Sequence, residues 1–161
     1  MGKAVPKDIK SVDGTMNSRQ DADPVSAFKK GHQDLLALCD QLEEIADSLP
    51  DQINRQKCLY AARALCPLIR TIDKFEEEVL FPQIKSRMPD NTVTPKTLTR
   101  LRFDHCEDEC FAEELSEALH KLGKSSANIN METTGYMLRG FFEALRRHIA
   151  FENEVVLRWK P

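Results

Sequence analysis

The chain has 161 residues, of which 41% are hydrophobic and 30% charged, with a net charge of −3. That length fits one domain with a proper core, and the composition suits an ordinary globular chain rich in helix formers. An acidic balance without a basic stripe gives no case for nucleic acid, and the lack of any run of about 18 apolar residues excludes a membrane-spanning helix.

Residues 1–22 are polar, contain no apolar segment of signal-peptide type, and read as a disordered leader of a cytoplasmic protein. Residues 23–161 then form one domain. Five cysteines, an odd number with no CxxC pair, read as reduced intracellular thiols and not as a disulfide framework.

Asp23-Pro24 predicts a helix start, with Asp as cap and Pro at the first helical position. Phe28, His32, Leu35, Cys39, Leu42, Ala46 and Leu49 continue it at helical spacing, and Pro50 ends it. Asp51 is the expected cap of a second, long helix reaching about Arg87, where Met88-Pro89-Asp90-Asn91 breaks it. Pro67 inside that helix is expected to kink or split it. Thr94-Pro95 repeats the cap-plus-proline signal for a third helix, which runs through Leu98, Leu101, His105, Glu109, Ala112, Leu115, Leu119 and Leu122 to Gly123 as C-cap. A fourth opens near Asn130 and follows Met137, Phe141, Leu145, His148, Glu152 and Trp159. No strand-like alternation competes. The prediction is an all-α fold, an antiparallel up-down-up-down four-helix bundle with a disordered N-terminal leader.

On the second helix the apolar spacing Leu59, Ala62, Cys66, Ile69 leads onto Asp73 and Glu77 before Leu80, so two carboxylates fall in line with a core stripe. Buried carboxylates neutralise, find a partner or coordinate a metal. The other helices supply company: His32 on the first, His105 and Glu109 on the third, His148 and Glu152 on the fourth. Counted from one end of the bundle at 1.5 Å per residue, His32 lies roughly 12 Å deep, Asp73, Glu77, His105 and Glu109 roughly 15 to 21 Å, and His148 and Glu152 roughly 11 to 17 Å. All reach one level. Several unpaired buried charges would exceed the stability of a domain, whereas three imidazoles and four carboxylates suit a dinuclear first-row metal site. Two iron ions are the expected cofactor, and manganese or zinc suit the same donors.

At these residues the chain resembles the hemerythrin-like (HHE cation-binding) domain family, over Pro24 to Pro161. His32 matches the family's first-helix His, Glu77-Glu78-Val79-Leu80-Phe81-Pro82 its second-helix motif, His105 its third-helix His, and His148 with Glu152 its fourth-helix pair. The Phe-Pro ending is the most specific piece. This chain departs from the family at Asp73, where the motif has His, and at Glu109, where oxygen carriers have a second His; Asn153 stands at the five-residue spacing where they carry the acid. The resemblance implies a non-haem di-iron protein that senses or handles iron, dioxygen, nitric oxide or peroxide, with Glu77 as bridge, and a metal-binding protein before a catalyst. A di-iron oxidase or peroxidase, and a metal-free bundle serving as an interaction module, are the competing readings. No catalytic residue is assigned, and any sensing output passes to a protein partner.

Cys106 and Cys110, flanking His105 and Glu109, read as small buried apolar residues before redox groups. His120 reads as exposed near a helix end. Phe28, Phe75, Phe141, Phe151 and Trp159 fit core packing, with Phe75 and Phe151 on a path to the metals.

Overall fold

Asp23 opens the first helix as its spacing predicts, its carboxylate accepting the backbone N–H of Val25 at 3.4 Å, and α1 runs Pro24–Ser48. The computed structural model describes residues 23–87 and 95–159. The expected leader, the Met88–Asn91 break, the Thr94 cap and the side chain of Trp159 lie outside what is described.

The second helix starts later than expected. Gln52 N–H bonds back to the Ser48 carbonyl at 2.8 Å, which leaves Asp51 in the turn after α1. Asn54 is the cap instead, accepting the Lys57 N–H at 3.1 Å, and α2 spans Arg55–Phe75. Pro67 does not divide it. The break in register comes at a π-helical turn, Glu76–Leu80, where Phe81 N–H reaches back five residues to the Glu76 carbonyl, and α3 follows over Phe81–Arg87. Such one-residue insertions in a helix are frequent at functional sites. The last two helices are α4, Pro95–Gly123, and α5, Met131–Trp159, the latter capped by Asn130, whose side chain accepts the Thr133 N–H at 2.9 Å. All regular structure among the described residues is helical, in four long stretches: α1, α2 with the π turn and α3, α4, and α5. None is long and apolar enough to cross a membrane.

Gly123 does not cap α4 in the left-handed conformation. Ser125 takes that position, with φ 57°, while Ser126 N–H bonds the Lys121 carbonyl at 3.1 Å and Ser125 N–H that of Leu122 at 3.3 Å; these two bonds are the Schellman pattern. The reason for glycine at 123 is space. A Cβ there would lie 2.6 Å from Leu59 Cγ and 3.2 Å from the Arg55 carbonyl oxygen. Gly123→Ala is therefore expected to destabilise the protein by about 1–3 kcal/mol, the usual range for overpacking, read as a lower midpoint in urea denaturation.

Along its length α2 packs on α4 and α1 on α5, with α1 also against α2 and α4 against α5. Their apolar faces form two clusters. The larger includes Leu42, Leu65, Ile69, Leu115, Leu119, Phe141 and Phe142, and the smaller Phe28, Leu80, Phe81, Ile84, Leu98, Leu101 and Val156. Between the two lies a buried polar layer of His32, Asp73, Glu76, His105 and Glu152. On every stretch the polar residues fall where the chain passes from one apolar cluster to the other.

Candidate metal centre

Helical spacing brings the layer together. His32 follows Phe28 by four residues and its ring lies 3.9 Å from the phenyl ring, centroid to centroid; Phe81 stacks on His105 at 5.8 Å with 14° between planes. The Phe-Pro ending of the second-helix motif thus sets an aromatic ring against an imidazole on the next helical stretch.

Glu152 sits at the centre, 2% exposed. Its Oε2 is 3.0 Å from His32 Nε2, and its Oε1 is 3.1 Å from His105 Nε2 and 3.2 Å from His148 Nε2. Glu76, 1% exposed, faces it across the layer, with Oε1 3.2 Å from His32 Nε2 and Oε2 3.2 Å from His105 Nε2. Asp73 Oδ1 stands 3.8 Å from His105 Nε2. Two carboxylates thus each span the same pair of imidazoles. Three overlapping groups bring their donor atoms within 4.8 Å of one another: His32, Glu76 and Glu152; Asp73, Glu76 and His105; and His105, His148 and Glu152.

His32 and His105 each turn Nε2 to Glu152 in hydrogen-bond geometry, and the 3.2 Å approaches to Glu76 lie outside that geometry. Both Glu76 oxygens and Asp73 Oδ2 are buried with no hydrogen bond. Each such atom costs about 1–3 kcal/mol or more if charged. Protons are a poor remedy, and the electrostatics of the layer show why. Burial opposes charge on the imidazoles, but Glu152, which both hydrogen-bond, and the nearby Glu76 carboxylate outweigh it, pushing His32 up to about 9 and His105 up to about 11. His148 is raised as well, again against its burial, by Glu152. Burial pushes Asp73 up to about 8, opposed by His105 and reinforced by Glu76. Glu76 rises through burial and the charge of Glu152, while Glu152, despite its own burial, is held well below the carboxylate range by the three imidazoles. With protons alone the layer balances imidazolium against one firm carboxylate and two that resist ionising. Oxygen and nitrogen donors converging from three carboxylates and three imidazoles fit divalent first-row cations, which would engage the unpartnered oxygens directly.

The structure brings His32, Asp73, His105, His148 and Glu152 into one cluster. Glu77 is at its rim, 35% exposed, with Oε1 2.8 Å from the outer nitrogen of His105, and the central place belongs to Glu76. The α2 stripe explains the substitution: its buried residues are Cys58, Ala61, Leu65, Ile69, Ile72 and Asp73, one position earlier than Leu59, Ala62 and Cys66, and four residues before buried Leu80 is Glu76. Counting back from Leu80 by three or by four gives Glu77 or Glu76, and the π turn decides for Glu76. Glu109 is outside the cluster, its side chain 36% exposed and 3.6 Å from Arg70. Asp108 and Asn153 join from the outer side: Asp108 Oδ2 is 3.6 Å from His148 Nδ1, and Asn153 Oδ1 is 3.2 Å from His32 Nδ1.

Cys106 and Cys110 are exposed, contrary to the buried apolar role expected of them, and His120 is exposed as expected. Phe28 and Phe141 are buried, Phe75 and Phe151 half-buried. Phe151 lines a cavity of about 330 Å³ together with Arg100, Asp108 and His148, on the outer side of the His148 ring.

The sequence model of the hemerythrin HHE cation-binding domain matches residues 23–159. Neither a curated protein nor a solved structure matches the chain. The matched span takes in every helix among the described residues and the whole polar layer, and the chain belongs to the hemerythrin family of HHE cation-binding domains.

Proposed function

We propose that the layer holds two first-row metal ions, iron foremost, with His32 serving one, His105 and His148 the other, Glu76 and Glu152 shared, and Asp73 as a further carboxylate donor. The observation that carries this reading is the set of three buried oxygens, on Glu76 and Asp73, without hydrogen bonds among converging imidazoles. Membership in a cation-binding family supports it. Manganese and zinc suit the same donor types.

The four helical stretches are read as an antiparallel up-down-up-down bundle. Support comes from the ion pairs between α1 and α5, where Asp40 meets Arg146 at 2.8 Å and Asp47, later in α1, meets Arg139, earlier in α5, at 2.7 Å.

Bound ferrous ions would supply electrons to a small ligand such as dioxygen, nitric oxide or peroxide, and the protein would sense or handle that ligand or the iron itself. The chain's own part is to hold the imidazoles with Phe28 and Phe81, to keep negative charge at Glu152, and to exclude bulk water with an apolar cluster on either side. A second reading, an oxidase, is favoured by Asp73 standing where the family motif has His, since a harder and more anionic donor set favours the oxidised metal. Anaerobic reconstitution with ferrous iron followed by exposure to oxygen separates the two. A spectral change that reverses on removing oxygen supports binding, and rapid irreversible conversion to ferric iron supports oxidase chemistry. Asp73→Ala is expected to weaken metal binding by at least about 10-fold, the lower end for loss of a supporting group, in equilibrium dialysis; full metal content in that variant would remove Asp73 from the donor set.

A further inference from the structure

We propose that Asn153, Glu77 and Asp108 are positioning residues that hold all three imidazoles in one orientation, with Nδ1 protonated and turned outward and Nε2 turned to the centre, where metal loading displaces its proton and leaves the neutral Nδ1–H tautomer. The assignment rests on the metal-centre reading above and goes beyond it by giving roles to three residues outside the donor set.

Each imidazole in the layer has both nitrogens engaged, and the division of labour is the same in all three. His32 directs Nε2 to Glu152 at 3.0 Å and Nδ1 to Asn153 Oδ1 at 3.2 Å. His105 directs Nε2 to Glu152 at 3.1 Å and Nδ1 to Glu77 Oε1 at 2.8 Å. His148 directs Nε2 to Glu152 at 3.2 Å and Nδ1 to Asp108 Oδ2 at 3.6 Å, an ion-pair contact. The three outer oxygens come from three different helical segments. Chance burial of a histidine needs one partner, whereas His32 and His105 each have an inner and an outer oxygen within hydrogen-bond distance and His148 has an outer carboxylate at ion-pair distance.

The chemistry requires this arrangement. A neutral imidazole has one N–H and one lone pair, and the nitrogen that carries the proton is set by the hydrogen bond it makes. A lone pair offered to a cation at Nε2 leaves the proton on Nδ1, where a buried N–H needs an acceptor. Outer acceptors of this kind orient metal-binding histidines and raise their basicity.

The three acceptors differ in charge. Asn153 offers a neutral amide to His32, whereas Glu77 and Asp108 offer carboxylates to His105 and His148. The imidazoles on the His105 and His148 side are therefore the stronger electron donors, and the two metal positions are electronically unequal. Glu77 also gains a defined role at the rim, next to the central Glu76.

Cobalt(II) titration of the full chain, followed by its visible ligand-field absorption and by competition with zinc, tests the assignment. Glu77→Ala, Asp108→Ala and Asn153→Ala are each expected to weaken cobalt binding by about 10- to 100-fold, the range for loss of such partners, with helical circular dichroism unchanged. Glu77→Gln and Asp108→Asn keep an acceptor oxygen without its charge, so they are expected to recover most of the affinity while the cobalt bands stay shifted from wild type. Alanine variants that bind cobalt like wild type, with wild-type bands, would overturn the positioning roles and leave the metal centre standing. A wild-type chain that takes up no cobalt would overturn the metal centre and these roles together.

Discussion

Replacing Glu152 with alanine is expected to abolish metal uptake, weakening it by more than the roughly 100-fold that marks the upper range for supporting residues. Among the described residues this carboxylate is the one group within 3.2 Å of all three imidazoles, and it is 2% exposed. No neighbour can substitute, since Glu76 already spans His32 and His105 from the other side. Without metal the same change removes the negative partner of three buried imidazoles, a class of disruption worth about 3–5 kcal/mol. Glu152→Gln keeps the volume and removes the charge, so it separates the two effects: metal uptake is lost while packing is retained. Glu109→Ala is the matched control. Its carboxylate lies beside Arg70 at 3.6 Å on the half-exposed outer face, and its loss is expected to leave metal content unchanged and stability within about 0.5 kcal/mol. Retention of full metal content by Glu152→Ala would contradict the assignment.

The second large effect is a reversal in how stability depends on pH. In the metal-free protein His32 and His105 are raised from 6.5 to about 9 and about 11, and Asp73 from 3.8 to about 8. The folded chain then holds protons that the unfolded chain releases. The histidine contributions are complete below pH 6.5 and are lost as pH rises through the folded values, and the Asp73 contribution declines from pH 3.8 up to about 8. Glu152 acts in the opposite sense, its contribution present above the ordinary carboxylate value and lost on acidification, so it does not oppose the trend near neutrality. Metal-free stability is expected to fall by about 1 kcal/mol or more per pH unit between pH 6.5 and about 8, since one proton difference is worth 1.36 kcal/mol per unit. A bound metal needs the nitrogens and carboxylates bare, so loading displaces those protons. In the loaded protein the unfolded chain holds more protons below pH 6.5, and stability rises with pH toward neutrality. Urea midpoints across a pH series, with and without metal, check this; parallel slopes in the two series would contradict it.

Helix limits were legible wherever a cap and a proline or a capping amide coincide. Asp23-Pro24 and Asn130 announce α1 and α5 because their side chains bond N–H groups that no helical carbonyl serves. The level of the site was legible too, since His32, Asp73, His105, His148 and Glu152 lie on apolar stripes at comparable depth. What the pattern does not resolve is helical phase within a stripe of small residues. On α2, Cys58, Ala61 and Leu65 are scarcely more apolar than Leu59, Ala62 and Cys66, and three consecutive glutamates follow, so residue type cannot distinguish Glu76 from Glu77. The π turn beginning at Glu76 has no composition signal of its own. On α4 the inward row runs His105, Asp108, Ala112, Leu115, a step of three that puts Glu109 beside Arg70 and Asp108 beside His148. Gly123 shows the same limit in another form. Its value lies in the approach of Leu59, a contact between α2 and α4 that no local signal encodes.

Metal per chain after anaerobic incubation with ferrous iron and removal of the excess tests the central claim most directly. About two ions per chain in the wild type, falling to none in Glu152→Ala and unchanged in Glu109→Ala, is the result expected from a dinuclear carboxylate-bridged site. A wild-type chain that emerges without metal would contradict it.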